Sequence, residues 1–413
     1  MEKNISAIQT PAILLDLNIL ERNISTYHQM AQEGTSLWPM IKTHKSTEIA
    51  RIQLNQGATG LLCGTLDECE AVLENIVQGK SIFGDNMHGK NNGISIMYAY
   101  PVASQPNIAR VVKLAQECKS FYLRLDNHQQ AQVLNQAAAE AGIHINYTLI
   151  INSGLNRLGI NPDELKNLIP KLTPLKHMRF CGISTHPGHA YSKTDPEDIA
   201  EIAQQESDTM KAAAEILINM GIPPKLITSG STPTYPHIVQ ASTAATSINC
   251  LHPGNYVFMD NMQISMECAK EENCALTVLT TVIAAPRPGE FIIDAGTKCL
   301  GLDKSAHGNE KITGHGRIKG WGKNIGQGNL YHDLSHDSYT IYSLSEEVGK
   351  IVVSSNNNDA ASLKIGDQLE IIPNHACAAA NNTSYYIGMR EGAFERLIHV
   401  DMRGNSTHKG VYI

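Results

Sequence analysis

Basic residues are too few in this chain to build a nucleic-acid face. Its 33 Lys and Arg are outnumbered by 40 Asp and Glu, for a formal net charge of −7, and phosphate neutralisation needs the opposite balance. Long apolar runs are missing too, and none approaches the length of a membrane span. Met1 to Thr10 lack the basic, apolar and small-residue order of a secretion signal. The 9 cysteines are an odd number without a repeating spacing. A disulfide framework is therefore not expected, most of them read as small buried hydrophobes, and a reducing cytoplasm is the expected location. No internal repeat is visible. The 413 residues suit one large barrel plus a smaller domain, or two to three ordinary domains.

From about Ser36 to Gly254, short apolar runs alternate with amphipathic stretches. Eight runs read as strands: Ser36–Lys42, Thr59–Gly64, Ser81–Asp85, Phe121–Leu125, Ile145–Ile151, Arg179–Thr185, Lys225–Ser229 and Thr246–Leu251. Helices are expected over Thr47–Asn55, Leu66–Val77, Ile108–Glu117, Gln129–Ala141, Pro162–Leu168, Asp198–Met220 and Tyr235–Gln240. Eight βα units in a row favour a closed (β/α)8 barrel, although periodicity alone leaves an open parallel sheet in play. The texture changes near residue 266. Leu276–Ala284, Glu290–Asp294, Tyr339–Ser343, Gly349–Val353 and Gln368–Pro373 read as strands without long helices between them. The expected division is therefore an α/β barrel over residues 1–265 and a β-rich domain over 266–413, with Ala12–Leu15 a candidate member of the second.

In such a barrel the chemistry sits at the carboxyl ends of the strands. Here those ends read Lys42-Thr43-His44-Lys45, Asn152-Ser153-Gly154-Leu155-Asn156-Arg157, Thr185-His186-Pro187-Gly188-His189, Ser229-Gly230-Ser231-Thr232 and His252-Pro253-Gly254-Asn255. The last two follow strands 7 and 8, where barrels commonly hold a phosphate group. Glycine there gives close backbone approach and free N–H donors, and hydroxyls add more; a plain tight loop is the alternative. Lys42 follows an apolar run. A lysine at a barrel mouth either snorkels to solvent or is used, and a low-dielectric site would free its amine for a Schiff base. Beside two phosphate-type turns the second reading is preferred. Near the C-terminus His375 and Cys377 stand two apart, which on a strand puts both side chains on one face. Imidazole and thiolate together suit Zn²⁺ better than an oxygen-preferring ion, although His-x-Cys can equally be an ordinary packed pair.

These clusters, together with the opening Thr10-Pro11-Ala12-Ile13-Leu14-Leu15-Asp16 and the run Pro39-Met40-Ile41-Lys42-Thr43-His44-Lys45, resemble in order the D-serine dehydratase / D-threonine aldolase family. That family has an alanine-racemase-like barrel and binds pyridoxal 5'-phosphate (PLP). The resemblance implies that Lys42 carries the cofactor and serves as catalytic base, with Lys45 as the alternative. It implies further that Arg157 lies near the PLP phenolic oxygen, that His186 contacts its ring and that Tyr191 is close by. Gly230, Ser231, Thr232, Gly254 and Asn255 would hold its phosphate. Pro373-Asn374-His375-Ala376-Cys377 resembles the metal motif of D-serine dehydratases. Two positions depart from the family: His252 stands where an arginine is usual before Pro-Gly, and Val348 where a histidine is common.

The expected activity is removal of the β-hydroxyl of a D-amino acid such as D-serine, with Zn²⁺ as Lewis acid, giving a 2-oxo acid and ammonia. The rival is cleavage to glycine and an aldehyde with Mg²⁺ or Mn²⁺, since aldolase members tend to carry aspartate where Cys377 stands. A racemase needs a second base that this sequence does not offer, and a non-catalytic PLP carrier leaves the second domain unexplained. The expected partners are a small D-amino acid and a second copy of the chain in a homodimer, with no nucleic acid and no membrane.

Overall fold

The computed structural model describes residues 5–31, 34–79, 93–241, 247–303, 308–322, 339–353 and 363–403. The chain divides into two compact units. One comprises Thr26–Ala190, Glu197–Gly254 and the segment from Asp401. The other comprises Met1–Ser25, Tyr191–Pro196 and Asn255–Val400.

In chain order, β1 (Ala12–Asp16) belongs to the second unit. The next eight strands build the first: β2 (Ser36–Leu37), β3 (Gly60–Cys63), β4 (Ser95–Tyr98), β5 (Phe121–Leu125), β6 (Ile145–Ile150), β7 (Met178–Ser184), β8 (Leu226–Ser229) and β9 (Cys250–Leu251). They form one sheet in the order β2-β9-β8-β7-β6-β5-β4-β3, and every pair is parallel. The two edges then meet. Met40 bridges Leu62 in parallel, and the Leu62 N–H donates to the Pro39 carbonyl at 2.9 Å. The sheet is thus an all-but-closed (β/α)8 barrel, and the open-sheet alternative is ruled out.

The strands read as unbroken apolar runs because both faces are covered; all four residues of β3 are buried. The helices between them start on side-chain caps. Ser46 accepts from the Ile49 N–H at the head of Thr47–Asn55, Thr65 from Glu68 and Asn127 from Gln130. The long helix Pro196–Asn219 buries a stripe at Ile199, Ile202, Ala203, Glu206, Met210, Ala213 and Leu217, the 3.6-residue period of one packed face.

Two expectations change, and one helix was not among those expected. The third barrel strand is β4, and the expected Ser81–Asp85 lies outside the described residues. The short apolar run Ser95–Tyr98, with three of its four residues buried, carries that strand. The helix Leu17–Met30 was also missed. Finally, the run into Lys42 is not one strand. After β2 the chain bridges once at Met40, then turns through a 3-10 helix at Ile41–Thr43.

The second unit adds β10 (Leu276–Arg287), β11 (Glu290–Ile293), β12 (Arg317–Gly322), β13 (Tyr339–Leu344), β14 (Gly349–Val353), β15 (Gln368–Ile372), β16 (Tyr385–Arg390) and β17 (Ala393–His399). With β1 they make a nine-stranded sheet. β1 is its keystone, antiparallel to β10 and parallel to β16. Among the described residues no helix is long and apolar enough to cross a membrane, and all nine cysteines are free thiols.

Candidate active site

Parallel strands place all their carboxyl ends at one mouth. Lys42, Arg157, His186, Gly230–Thr232 and Gly254 therefore share one end of the barrel. Lys42 sits in the turn after β2, against a glycine: a Cβ on Gly64 would stand 2.9 Å from the Lys42 Cβ. Three residues on, Lys45 is buried at a φ of 46°. Its Nζ is spent on an ion pair with Glu68, which is wholly buried. The other Glu68 oxygen accepts from the Gly64 N–H at 2.6 Å. Lys45 thus braces the loop that faces Lys42, which argues against Lys45 as the reactive amine. His44 is fixed as well. Its Nδ1 accepts from the Ser46 N–H at 3.1 Å and its Nε2 donates to Gln53 at 3.2 Å. Burial lowers its pKa to about 3.

His186, two residues past the end of β7, donates from Nδ1 to the Gly230 carbonyl at 2.5 Å. Burial first, and the Lys42 charge second, pull its pKa down to about 3. It is therefore a neutral ring at the mouth. Arg157 is exposed, with its guanidinium 6.0 Å from the centre of the Tyr100 ring. Its loop is tied down by a Ser153–Thr185 hydroxyl pair at 2.7 Å.

The turn after β8 is tightly built. A Cβ at Gly230 would come within 2.6 Å of the His252 backbone, so only glycine fits there. The Ser231 and Thr234 hydroxyls are 2.8 Å apart. Behind them stands Glu206, fully buried, bonded to the Ser229 hydroxyl and to Thr234. Burial raises its pKa well above the ordinary carboxylate range, so it is a neutral acid holding hydroxyls. Sequence reading missed Glu206, although its place on the apolar stripe of Pro196–Asn219 was a usable signal. His252 is 3 % exposed. It donates from Nδ1 to the Trp38 carbonyl at 2.7 Å, and its buried Nε2 has no partner among the described residues.

These features fit PLP. A partly buried lysine, a neutral imidazole, an exposed arginine and two close-approach turns with hydroxyls supply an amine for an aldehyde, a ring contact and an anion cradle. Gly254 keeps its turn open towards Thr43, whose Oγ1 a Cβ would meet at 3.2 Å.

The other named residues belong to the second unit. Tyr191 is partly buried in the short 3-10 turn Gly188–Ser192. Asn255 turns its side chain to Asp260, at 2.6 Å, and to the Cys377 sulfur, at 3.8 Å. The strand expected for His375 and Cys377 is absent. His375 is the extended residue before the helix Ala376–Asn381, and Cys377 lies in its first turn. Their side chains nevertheless meet in a hydrogen bond, because the helix start folds Cys377 back. Asp303 holds the His375 Nδ1, and Asp260 accepts from the Ala376 N–H at 2.8 Å. A carboxylate on the far nitrogen of a histidine is the usual support of a metal-bound imidazole. The donor pair therefore fits Zn²⁺ in chemistry, with Asp303 as its orienting group. Among the described residues, however, no group of three or more His, Cys, Asp or Glu is spaced to hold a metal ion.

The family described as "Alanine racemase, N-terminal domain" matches residues 15–262, and "Putative serine dehydratase domain" matches residues 275–389. A D-threo-3-hydroxyaspartate dehydratase of Delftia sp. (strain HT23) is 26 % identical over 92 % of this chain and 93 % of its own. A D-serine dehydratase of Dictyostelium discoideum is 26 % identical over 93 % and 94 %. The crystal structure of a D-threonine aldolase from Filomicrobium marinum, 23 % identical, superposes with a TM-score of 0.80 over 98 % of both chains. A barrel carrying a lysine at its mouth, followed by a serine-dehydratase-type domain, places the chain in the alanine-racemase-like (fold type III) family of PLP enzymes, as a lyase.

Proposed function

We propose that the chain is a PLP- and zinc-dependent dehydratase of a β-hydroxy D-amino acid such as D-serine. The observation that carries this reading is the His375–Cys377 side-chain contact, with Asp303 on the imidazole. A thiolate donor selects zinc over magnesium or manganese. The dehydratase relatives of near-equal length support the same reaction type.

PLP, when bound, supplies an electron sink for negative charge at the substrate Cα. Lys42 would hold it, and the Lys42 amine, once free, takes the Cα proton. His186 stays neutral beside it and does not compete for that proton. Arg157 adds positive charge at the open side of the mouth. Glu206 fixes the Ser229 and Thr234 hydroxyls, so the turn that receives the phosphate is preformed. His375 and Cys377 would hold Zn²⁺, whose Lewis acidity would make the β-hydroxyl a better leaving group. Loss of water gives an enamine, and its hydrolysis returns that water and yields a 2-oxo acid and ammonia.

A product assay on a panel of D-amino acids tests this. The expected result is 2-oxo acid and ammonia in equal amounts, loss of activity on chelation, and recovery with Zn²⁺ better than with Mg²⁺. Glycine and an aldehyde, restored by Mg²⁺ or Mn²⁺, would move the chain to the aldolase reaction.

A further inference from the structure

The turn that carries Lys42 is tied to residues far along the chain. Beyond β17 the segment from Asp401 belongs to the barrel unit. The Asp401 carboxylate accepts from the Thr47 N–H at 2.8 Å, across 354 residues of sequence. Next to it the Met402 N–H donates to the Lys45 carbonyl at 3.0 Å, and Met402 is 2 % exposed. Both bonds land just past Lys42, on the stretch Thr43–Thr47, which is buried throughout.

That stretch turns the chain from the 3-10 helix Ile41–Thr43 into the helix Thr47–Asn55. It does so through Lys45, whose φ of 46° lies in the left-handed region. A residue with a Cβ is disfavoured there and keeps the shape only where its surroundings hold it. Lys45 is held at three points. Its N–H donates to the Ile41 carbonyl at 2.9 Å, its Nζ pairs with Glu68, and its carbonyl is the one that Met402 takes. Asp401 fixes the next step of the chain. Thr47 is the first residue of its helix, so its N–H has no partner within that helix, and a carboxylate at a helix N-terminus is favoured besides. Upstream of Lys42 the chain is anchored by the Met40–Leu62 bridge at the barrel seam. The Lys42 turn is thus held on one side by the barrel strands and on the other by Asp401 and Met402.

We propose that Asp401 is a positioning residue: with the Met402 backbone it clamps the Thr43–Thr47 stretch and so sets where the Lys42 amine stands. The inference rests on the reading of Lys42 as the lysine that takes PLP. Asp401 acts through the backbone of the Lys42 turn, not on the substrate. Without the clamp, the left-handed Lys45 and the first turn of the helix relax, and the amine spends less time aimed at its target. A displacement of about 1 Å can cost on the order of 100-fold in rate. Asp401 as a helix cap alone gives a different outcome, a lower melting temperature with an unchanged amine.

The test uses the full-length protein, as apoprotein mixed with PLP and as holoenzyme. Schiff-base formation is followed by absorbance, and the modified lysine is located by borohydride reduction and peptide mapping. Turnover is measured well below the melting temperature. Asp401→Ala should slow Schiff-base formation roughly 10- to 100-fold and lower kcat and kcat/KM together. Asp401→Asn keeps an acceptor for the Thr47 N–H and should recover most of that loss. Thr47→Pro releases the clamp from the other side. It deletes the N–H outright, and proline suits a first helical position. Ser46 before it is already extended, at φ −124° and ψ 123°, as a residue before proline requires. This variant should fold and show the same slowing, and it decides the matter if Asp401→Ala does not fold. Wild-type Schiff-base rates and kcat in Asp401→Ala or in Thr47→Pro, whatever the Tm, would overturn the proposal and leave Asp401 a helix cap. So would an Asp401→Asn protein as slow as Asp401→Ala. A wild-type protein whose Schiff base maps to a lysine other than Lys42, or that forms none, would instead overturn the reading of the PLP site.

Discussion

The barrel mouth and the His375–Cys377 corner reach function by opposite routes. At the mouth the backbone does the gathering. Eight parallel strands deliver Lys42, His186, Gly230 and His252 to one end whatever the loops do. At the corner no ladder brings the groups together. Asp303, Asp260, Asn255, His375 and Cys377 come from separate turns and two helix starts, aligned by side-chain bonds and by backbone bonds from Asn261 to Pro373 and from Met262 to Asn374. A frame held by strand ladders keeps its shape when one side chain is lost, whereas at the corner the loss of one bonded group should loosen the groups it positions.

The sharpest way to break this contrast is at the mouth. Lys42→Ala removes the proposed anchor and base together. Turnover should fall by about a thousandfold or more, and the Schiff-base absorbance should vanish while the protein stays folded. Lys45→Ala should do something different, because it strands Glu68 in a buried site. Removing one partner of a buried pair costs about 3–5 kcal/mol, so a lowered Tm with the Schiff-base band retained is expected. The reverse pattern, a band lost in Lys45→Ala and kept in Lys42→Ala, would exchange their roles.

A smaller effect is expected at the corner. Asp303→Ala leaves both proposed ligands in place and takes away only the group that orients His375. Zinc affinity should weaken roughly 10- to 100-fold, and excess Zn²⁺ should restore 2-oxo acid formation. PLP binding should not change. Cys377→Ala should resist that rescue. Equal zinc binding by wild type and Asp303→Ala, measured by competition with a chelator, would reduce Asp303 to a surface contact.

The same contrast explains what the sequence could reveal. Alternating apolar runs announced the barrel and most of its strand ends, because period and turn chemistry are local, but not the strand Ser95–Tyr98 or the 3-10 turn at Ile41–Thr43. Motif letters announced His375 and Cys377, but not their geometry: a spacing of two was read as a strand face, and the chain instead starts a helix there. Glu206 was legible only as a polar residue in an apolar stripe, and it could as well have been a surface position. Asp303 and Asp260 left no local signal at all, since their partners are distant in sequence.

The smallest effect concerns pH, and it is read here at two buried histidines of the barrel. His44 and His252 are buried at 0 % and 3 % exposure. Both have lowered pKa values: His44 to about 3, by burial, with Lys45 adding to it and Gln53 and Ser46 opposing it, and His252 well below its usual range, by burial and by Arg124. In the unfolded chain each would titrate near 6.5. Between those limits the unfolded state binds the extra protons, so stability rises with pH there. It is complete above about pH 6.5 and drains as the pH falls towards the folded values. Each histidine should contribute a slope of up to about 1.4 kcal/mol per pH unit below that point. His44→Asn keeps an acceptor for the Ser46 N–H and removes one titrating group. Denaturant unfolding of the apoprotein at pH 7 and pH 5 should then show a smaller loss on acidification in the variant than in the wild type. An identical loss in both would mean that His44 is already protonated in the fold, and that its bonds to Gln53 and Ser46 are not those of a neutral ring.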